Sequence, residues 1–286
     1  MEEPIRGTSS KASKFASDKD IISSMPENVI TNIMDRLEIE EAVSTGILSR
    51  DWRLKWTLLT RLVFDSDFFE RLSYFNDEAC YGRIIISRLL LHLKGSLTKF
   101  VLDVSDESYF EDISSWVMFL SRNGIEEFIL GNLHTIPLKL PTHFFSFMKL
   151  KHLELYNCCI CPMPGFSGFP NLLSLTLSAV SFESYQCGEF LTRSPLLEVL
   201  IISHDSLTGV MQHVELAKLE NLKVLRFSLC KLESMGTITR SNIVHLVGEF
   251  SKLQELALDF LGCKELKLER MSKPPCPALR LLTYGT

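Results

Sequence analysis

Cys158, Cys159 and Cys161 are the first place in this sequence where reactive side chains gather. Thiolates at such spacing can ligate zinc, but a tetrahedral site generally needs a second spaced pair, and none follows. Leucine-rich repeats offer another use for them, since the position three beyond the last strand leucine is normally Asn or Cys. Cys158 follows Leu155 by three, and Cys230 follows Phe227 by three, so both read as repeat interior rather than as ligands. Cys80, Cys187, Cys263 and Cys276 stand alone and are expected to be buried or inert. The seven histidines, at 92, 134, 143, 152, 204, 213 and 245, are scattered. No nucleophile elbow, phosphate loop, dinucleotide fingerprint or H-E-x-x-H pair gives them a catalytic setting. The expectation is a binding protein with no catalytic residue, no metal and no cofactor.

Bulk properties narrow the class. The 286 residues are 46% hydrophobic and 23% charged, a globular composition. A net charge of -5 argues against a nucleic-acid partner, which calls for a basic surface. No run of about 18 apolar residues exists, so no membrane span is expected. Met1-Glu2-Glu3-Pro4 lacks the basic start of a secretory signal, and the eight cysteines then read as reduced thiols of cytoplasm or nucleus.

Two kinds of element must carry any binding surface. Residues 1–18 are Ser- and Lys-rich with one aromatic, Phe15, and read as a disordered tail. Residues 19–58 read as a three-helix unit. Ser24-Met25-Pro26-Glu27 has capping chemistry, with Val29, Ile30, Ile33, Met34 and Leu37 as one apolar face behind it. A second helix is expected from Glu40 to about Arg50, carrying Ala42, Val43, Ile47 and Leu48 on one side. Trp52 and Trp56 share a face of a third helical turn. A unit of about 40 residues has a marginal core and is expected to lean on a neighbour or a partner.

From residue 59 onward a short pattern recurs, apolar-x-x-apolar-x-apolar. It begins at Leu59, Leu97, Ile125, Leu150, Leu172, Leu197, Leu222, Leu253 and Leu279. The mean spacing from Leu97 is about 26 residues, inside the range of leucine-rich repeats. One such turn buries too few side chains to offset its ordering entropy, so the turns must stack and share a core. Residues 59–286 therefore read as eight or nine repeats, the last incomplete, and the fold class is α/β: a small helical unit followed by a solenoid with a parallel sheet on its concave face.

The stretch from about Asp20 to Leu62 also resembles the F-box, and more narrowly the plant F-box/FBD/LRR-repeat family. The run Leu48-Ser49-Arg50-x-Trp52-Arg53-x-x-Trp56 carries most of the likeness. With Met25 in place of Leu and Gly46 in place of a larger residue, the chain departs from the family pattern. The family's C-terminal FBD segment has no counterpart before Thr286, which reads as a short isoform, a truncated gene product or a naturally trimmed member. The resemblance implies docking on a Skp-type adaptor, and through it on a cullin–RING ubiquitin ligase. Matching residues are Met25, Pro26, Val29, Ile30, Ile33, Leu37, Ile39, Ile47, Leu48, Ser49 and Trp52. Of these, Pro26, Ile30 and the segment 47–49 are expected to face the adaptor. Trp52 and Trp56 are expected to join the hook to the repeats.

A target protein would meet the strand positions that alternate with the buried leucines. The pairs are Val101 and Asp103, Glu154 and Tyr156, Thr176 and Ser178, Ile201 and Ser203, Arg226 and Ser228, and Ala257 and Asp259. Asp103, Tyr156, Thr176, Ser203, Arg226 and Asp259 are the candidate contacts, with Tyr156 and Arg226 as anchors. Two other roles remain open: a scaffold with a decayed F-box, and a receptor whose repeat array needs a small molecule.

Overall fold

The computed structural model of the protein describes residues 24–72, 78–182, 187–203, 219–228, 252–259 and 280–284. At 78–80, 187–189, 227–228, 258–259 and 280–284 it describes backbone only. The expected tail, residues 19–23 of the F-box, Cys230, Cys263, Cys276 and the histidines at 204, 213 and 245 lie outside the described residues. So do the side chains of Cys80, Cys187, Ser228 and Asp259.

The first helix, α1, spans Glu27–Met34, and α2 spans Ile39–Ser44. Ser24 is not the cap of α1. Pro26 takes that position at φ -55 and ψ 147, and its carbonyl accepts from the amides of Val29 (3.0 Å) and Ile30 (3.2 Å). Proline has no amide to leave unpaired there, so the helix can begin directly behind it. Helix α2 stops at Ser44, short of Arg50. The chain tightens into a 3₁₀ turn over Thr45–Ile47, and the Thr45 hydroxyl donates to the Ala42 carbonyl at 2.7 Å. A side chain at Gly46 would come within 3.2 Å of the Arg53 carbonyl, so the glycine lets two backbones approach. The turn around Trp56 is also 3₁₀, Lys55–Leu58. The described unit is thus two α-helices and two 3₁₀ turns rather than three helices.

All nine expected strand segments are strands: β1 (Arg61–Phe64), β2 (Lys99–Val104), β3 (Glu127–Asn132), β5 (His152–Tyr156), β7 (Ser174–Ser178), β9 (Val199–Ser203), β10 (Val224–Ser228), β11 (Glu255–Asp259) and β12 (Arg280–Tyr284). They form one parallel sheet in chain order, each strand paired with the strand of the turn before and the turn after. Leu62, Phe100, Phe128, Leu153, Leu175, Leu200, Leu225 and Leu256 stand in one register row. These eight side chains are all buried. The last turn is out of the expected phase: Leu281, not Leu282, pairs with Leu256, and Leu282 pairs with Ala257. The sequence Arg280-Leu281-Leu282 has a leucine at both of the adjacent positions, so the pattern alone does not fix the register there.

A second, three-stranded parallel sheet runs through β4 (Leu138–Lys139), β6 (Cys158–Ile160) and β8 (Ser181–Phe182). A spine of phenylalanines runs through the core. Phe64, Phe100, Phe128, Phe144 and Phe169 are buried and touch in series, with ring centroids 5.5–6.1 Å apart. Three helices flank the first strands: α3 (Ser66–Leu72), α4 (Glu78–His92) and α5 (Tyr109–Asn123). The hook does not close on itself. Ile30, Met34, Ile39, Ala42 and Trp52 belong to the same buried cluster as the repeats, and Asp35 accepts from the Thr60 amide (2.9 Å) and hydroxyl (2.6 Å).

Candidate partner-docking surfaces

Helix α1 carries two apolar stripes, not one. Ile30 and Met34, four apart, turn inward and are fully buried, whereas Val29 and Ile33, also four apart, face solvent. Residues one apart on a helix diverge by about 100°, so a single face was too simple a reading. The same division runs through the rest of the unit. Ile39 and Trp52 are buried; Met25 and Leu37 are half-buried against the core. Ile30, Ile39 and Trp52 are therefore inner core and have almost no surface to offer a partner. Ser49 is half-buried, and its hydroxyl accepts from the Trp52 amide at 3.3 Å.

What remains outside is Pro26, Val29, Ile33, Val43, Ile47, Leu48 and Leu54. Ile47 is 88% exposed and Leu48 73%. Single exposed apolar residues are ordinary, but several on one small unit form the kind of patch that marks an interface. Leu54 escaped the sequence reading because it sits between the two tryptophans, on neither's side. Trp56 does meet the repeats, its ring 6.3 Å from that of His92 on α4.

On the sheet, the candidate target contacts fall into two register rows. Asp103, Gly131, Tyr156, Ser178 and Ser203 follow one line, and Thr176, Ile201 and Arg226 another. Tyr156 is exposed; Thr176 and Ser203 are half-buried. Arg226 is exposed and pairs with Glu255 at 2.7 Å, an exchangeable surface pair worth at most about 1 kcal/mol. Asp103 has a prior commitment. Its carboxylate accepts from the Ser66 amide and hydroxyl, both at 3.1 Å, and so ties the end of β2 to the start of α3. Burial pushes its pKa above the ordinary range despite those bonds. Val101 and Ala257, expected on the surface, are buried. Asp259 lies opposite Tyr284 in the backbone register.

The cysteine group is structural in its geometry. Cys158 is buried in β6, its thiol directed at the Tyr156 carbonyl at 3.3 Å, and burial pushes its pKa up to about 12. Cys158, Cys159 and Cys161 are in no disulfide. Among the described residues no cluster of three His, Cys, Asp or Glu side chains could hold a metal ion, and no helix is long and apolar enough to cross a membrane. A polar element that sequence reading missed is Asn132. It is fully buried and donates to the carbonyls of Ile136 (2.7 Å) and Asn157 (2.9 Å) while accepting from the His134 amide (3.1 Å).

Comparison with known families agrees with both parts. Residues 22–63 match the F-box domain, and residues 113–217 match the family described as FBD-associated F-box protein At5g56370, LRR repeats. Among curated proteins the chain is similar to the F-box/FBD/LRR-repeat protein At1g13570 of Arabidopsis thaliana, 40% identical over 66% of this chain and 45% of the relative. It is also similar to the F-box/LRR-repeat protein At3g59210 (28% identical, 64% of this chain, 39% of the relative) from the same plant. A third Arabidopsis thaliana relative, the F-box protein At4g09920, is 28% identical over 75% of this chain and 68% of its own length. The chain spans less than half the length of the first two. With an F-box at its N-terminal end and leucine-rich repeats behind it, the chain belongs to the plant F-box/leucine-rich-repeat family.

Proposed function

We propose that the protein is the substrate-recognition subunit of an SCF-type cullin–RING ubiquitin ligase. The observation that carries this is the set of exposed apolar side chains Val29, Ile33, Val43, Ile47, Leu48 and Leu54 on a unit whose inward residues are already packed in the core it shares with the repeats. A Skp-type adaptor that covers those side chains would remove them from water, each worth about 1.5–3 kcal/mol when fully buried. The repeats then form a solenoid whose concave parallel sheet offers Tyr156, Thr176, Ser203 and Arg226 to a target protein. Function follows from tethering: holding the target beside the charged ubiquitin carrier raises its effective concentration without any catalytic group from this chain. Such a subunit works in the cytoplasm, the nucleus or both.

The test is adaptor binding by purified chain, wild type against Ile47→Asp/Leu48→Asp. Both positions are so exposed that the free protein tolerates the charges, while an apolar interface would have to desolvate them at a cost of several kcal/mol. A micromolar complex in the wild type and none in the folded variant is the expected pair of results. A folded wild type that ignores the adaptor would leave the chain a repeat scaffold with a relic hook. Gly46 gives no support to decay, because it is packed against Arg53 rather than loose.

A further inference from the structure

On the solvent face of the large sheet, from β2 through β3, β5 and β7 to β9, the charges do not balance. Lys99 is the only lysine or arginine on these five strands, and it is taken by Glu127 at 2.7 Å. Glu154 is exposed, and among the described residues its side chain has no hydrogen bond or ion pair. Asp103 commits one oxygen, Oδ2, to Ser66. Its Oδ1 has no such partner and lies over β3, where a side chain at Gly131 would collide with it. The glycine is what lets this carboxylate lean from β2 towards β5. Gly131 pairs in register with Tyr156, and Glu154 precedes Tyr156 by two on the same face. Strand spacing and rise put Glu154 about 8 Å from Gly131 along the diagonal. Two carboxylates without a cation thus flank an exposed phenol ring. Beside them, half-buried Ile129 pairs with Glu154, and half-buried Ile201 pairs with Thr176.

We propose that this face binds an extended basic segment of the target protein, an arginine side chain laid on Tyr156 with its guanidinium between Asp103 and Glu154. The inference rests on the reading of the sheet as the target surface and names the chemistry that surface selects. An acidic segment would meet two carboxylates and no unpaired lysine or arginine on these strands. A guanidinium offers donors to both carboxylates and a flat face to the ring, which a lysine ammonium does not. Burial holds the Asp103 pKa up, so a cation beside it relieves a poorly solvated charge. The four strand spacings from β2 to β9 cover about 19 Å, the reach of about six extended residues. Ile129, Thr176 and Ile201 underlie the rest of such a segment.

The experiment uses the full chain and three fluorescein-labelled hexapeptides, threonine alternating with arginine, lysine or glutamate, followed by anisotropy at physiological salt. The arginine peptide should bind at least threefold more tightly than the lysine peptide, and the glutamate peptide should not bind. Glu154→Gln, Asp103→Asn and Tyr156→Ala should each weaken the arginine peptide at least fivefold in protein that is folded by circular dichroism. Glu27→Gln removes the same charge from the hook and should change its affinity by less than twofold. A loss with Glu27→Gln equal to that with Glu154→Gln would overturn the proposal, since bulk charge would then explain the binding. Affinity untouched by Tyr156→Ala, or no binding of the arginine peptide by folded protein, would overturn it as well. Adaptor binding, measured on the same samples, keeps the two readings apart. A chain that binds the adaptor and no peptide sinks this inference alone, whereas one that binds the arginine peptide and no adaptor sinks the ligase reading and leaves the basic-segment site.

Discussion

Ile30 and Ile47 lie in one small unit, yet a charge at each is expected to act in opposite ways. At Ile30, fully buried, Ile30→Asp places an unpaired carboxylate in the core and should cost more than about 3 kcal/mol, read by urea unfolding. At Ile47, Ile47→Asp should shift stability by no more than about 0.5 kcal/mol. Cys158 makes a chemical prediction. A thiol pushed up to about 12 is almost wholly protonated at neutral pH, and the thiolate is the nucleophile. Iodoacetamide on native protein should leave Cys158 unlabelled by peptide mapping until denaturant is added, with the half-buried Cys159 and Cys161 reacting sooner. Asp103 adds a pH dependence. Burial raises its folded pKa above the unfolded 3.8, so the folded state holds the proton more tightly. Its contribution is full below pH 3.8 and is lost as pH rises through the folded value. Asp103→Asn should therefore gain stability relative to wild type as pH rises through that window, seen in urea midpoints at a series of pH values.

Helix α4 shows how an element can be present and hard to read. Its apolar residues run almost without break from Ile84 to Leu91, so no stripe stands out. Ile86, Leu89 and Leu90 are buried whereas Ile84 and Leu91 face solvent, a division set by where α3 and α5 pack and not by any period in the sequence. The strands, by contrast, were legible to the residue, because eight turns repeat one buried row and only the doubled leucine at 281–282 slipped. In the hook, the F-box resemblance matched Ile30, Ile39 and Trp52 alongside Ile47 and Leu48 without separating inner from outer face, and spacing ran the second helix past its end at Ser44. Only the contacts made with the repeats separate them. One glycine of α4 makes the helix packing testable. A side chain at Gly82 would run into the Tyr109 hydroxyl and come within 2.9 Å of the Phe69 ring. Gly82→Ala should destabilise by about 1–3 kcal/mol through overpacking, against the usual gain for alanine in a helix. Thermal unfolding of the variant decides it.

At the scale of the molecule, hook and repeats share one core, and this has a direct test. A fragment of residues 19–58 should show no cooperative melt by circular dichroism, whereas one extended to residue 132 should, because it adds α3, α4 and the first three strands. The strand order carries a further consequence, for synthesis. Each strand of the large sheet pairs only with the turn before and the turn after, so none has to wait for a distant segment. As the chain leaves the ribosome, every new turn finds its template already in place and can add to it, a zipper running from the hook outward. The hook itself is the exception: Asp35 gains the Thr60 amide and hydroxyl, and Ile39 its neighbours Phe68, Leu72 and Leu89, only when the first turn has emerged, so the end made first is completed second.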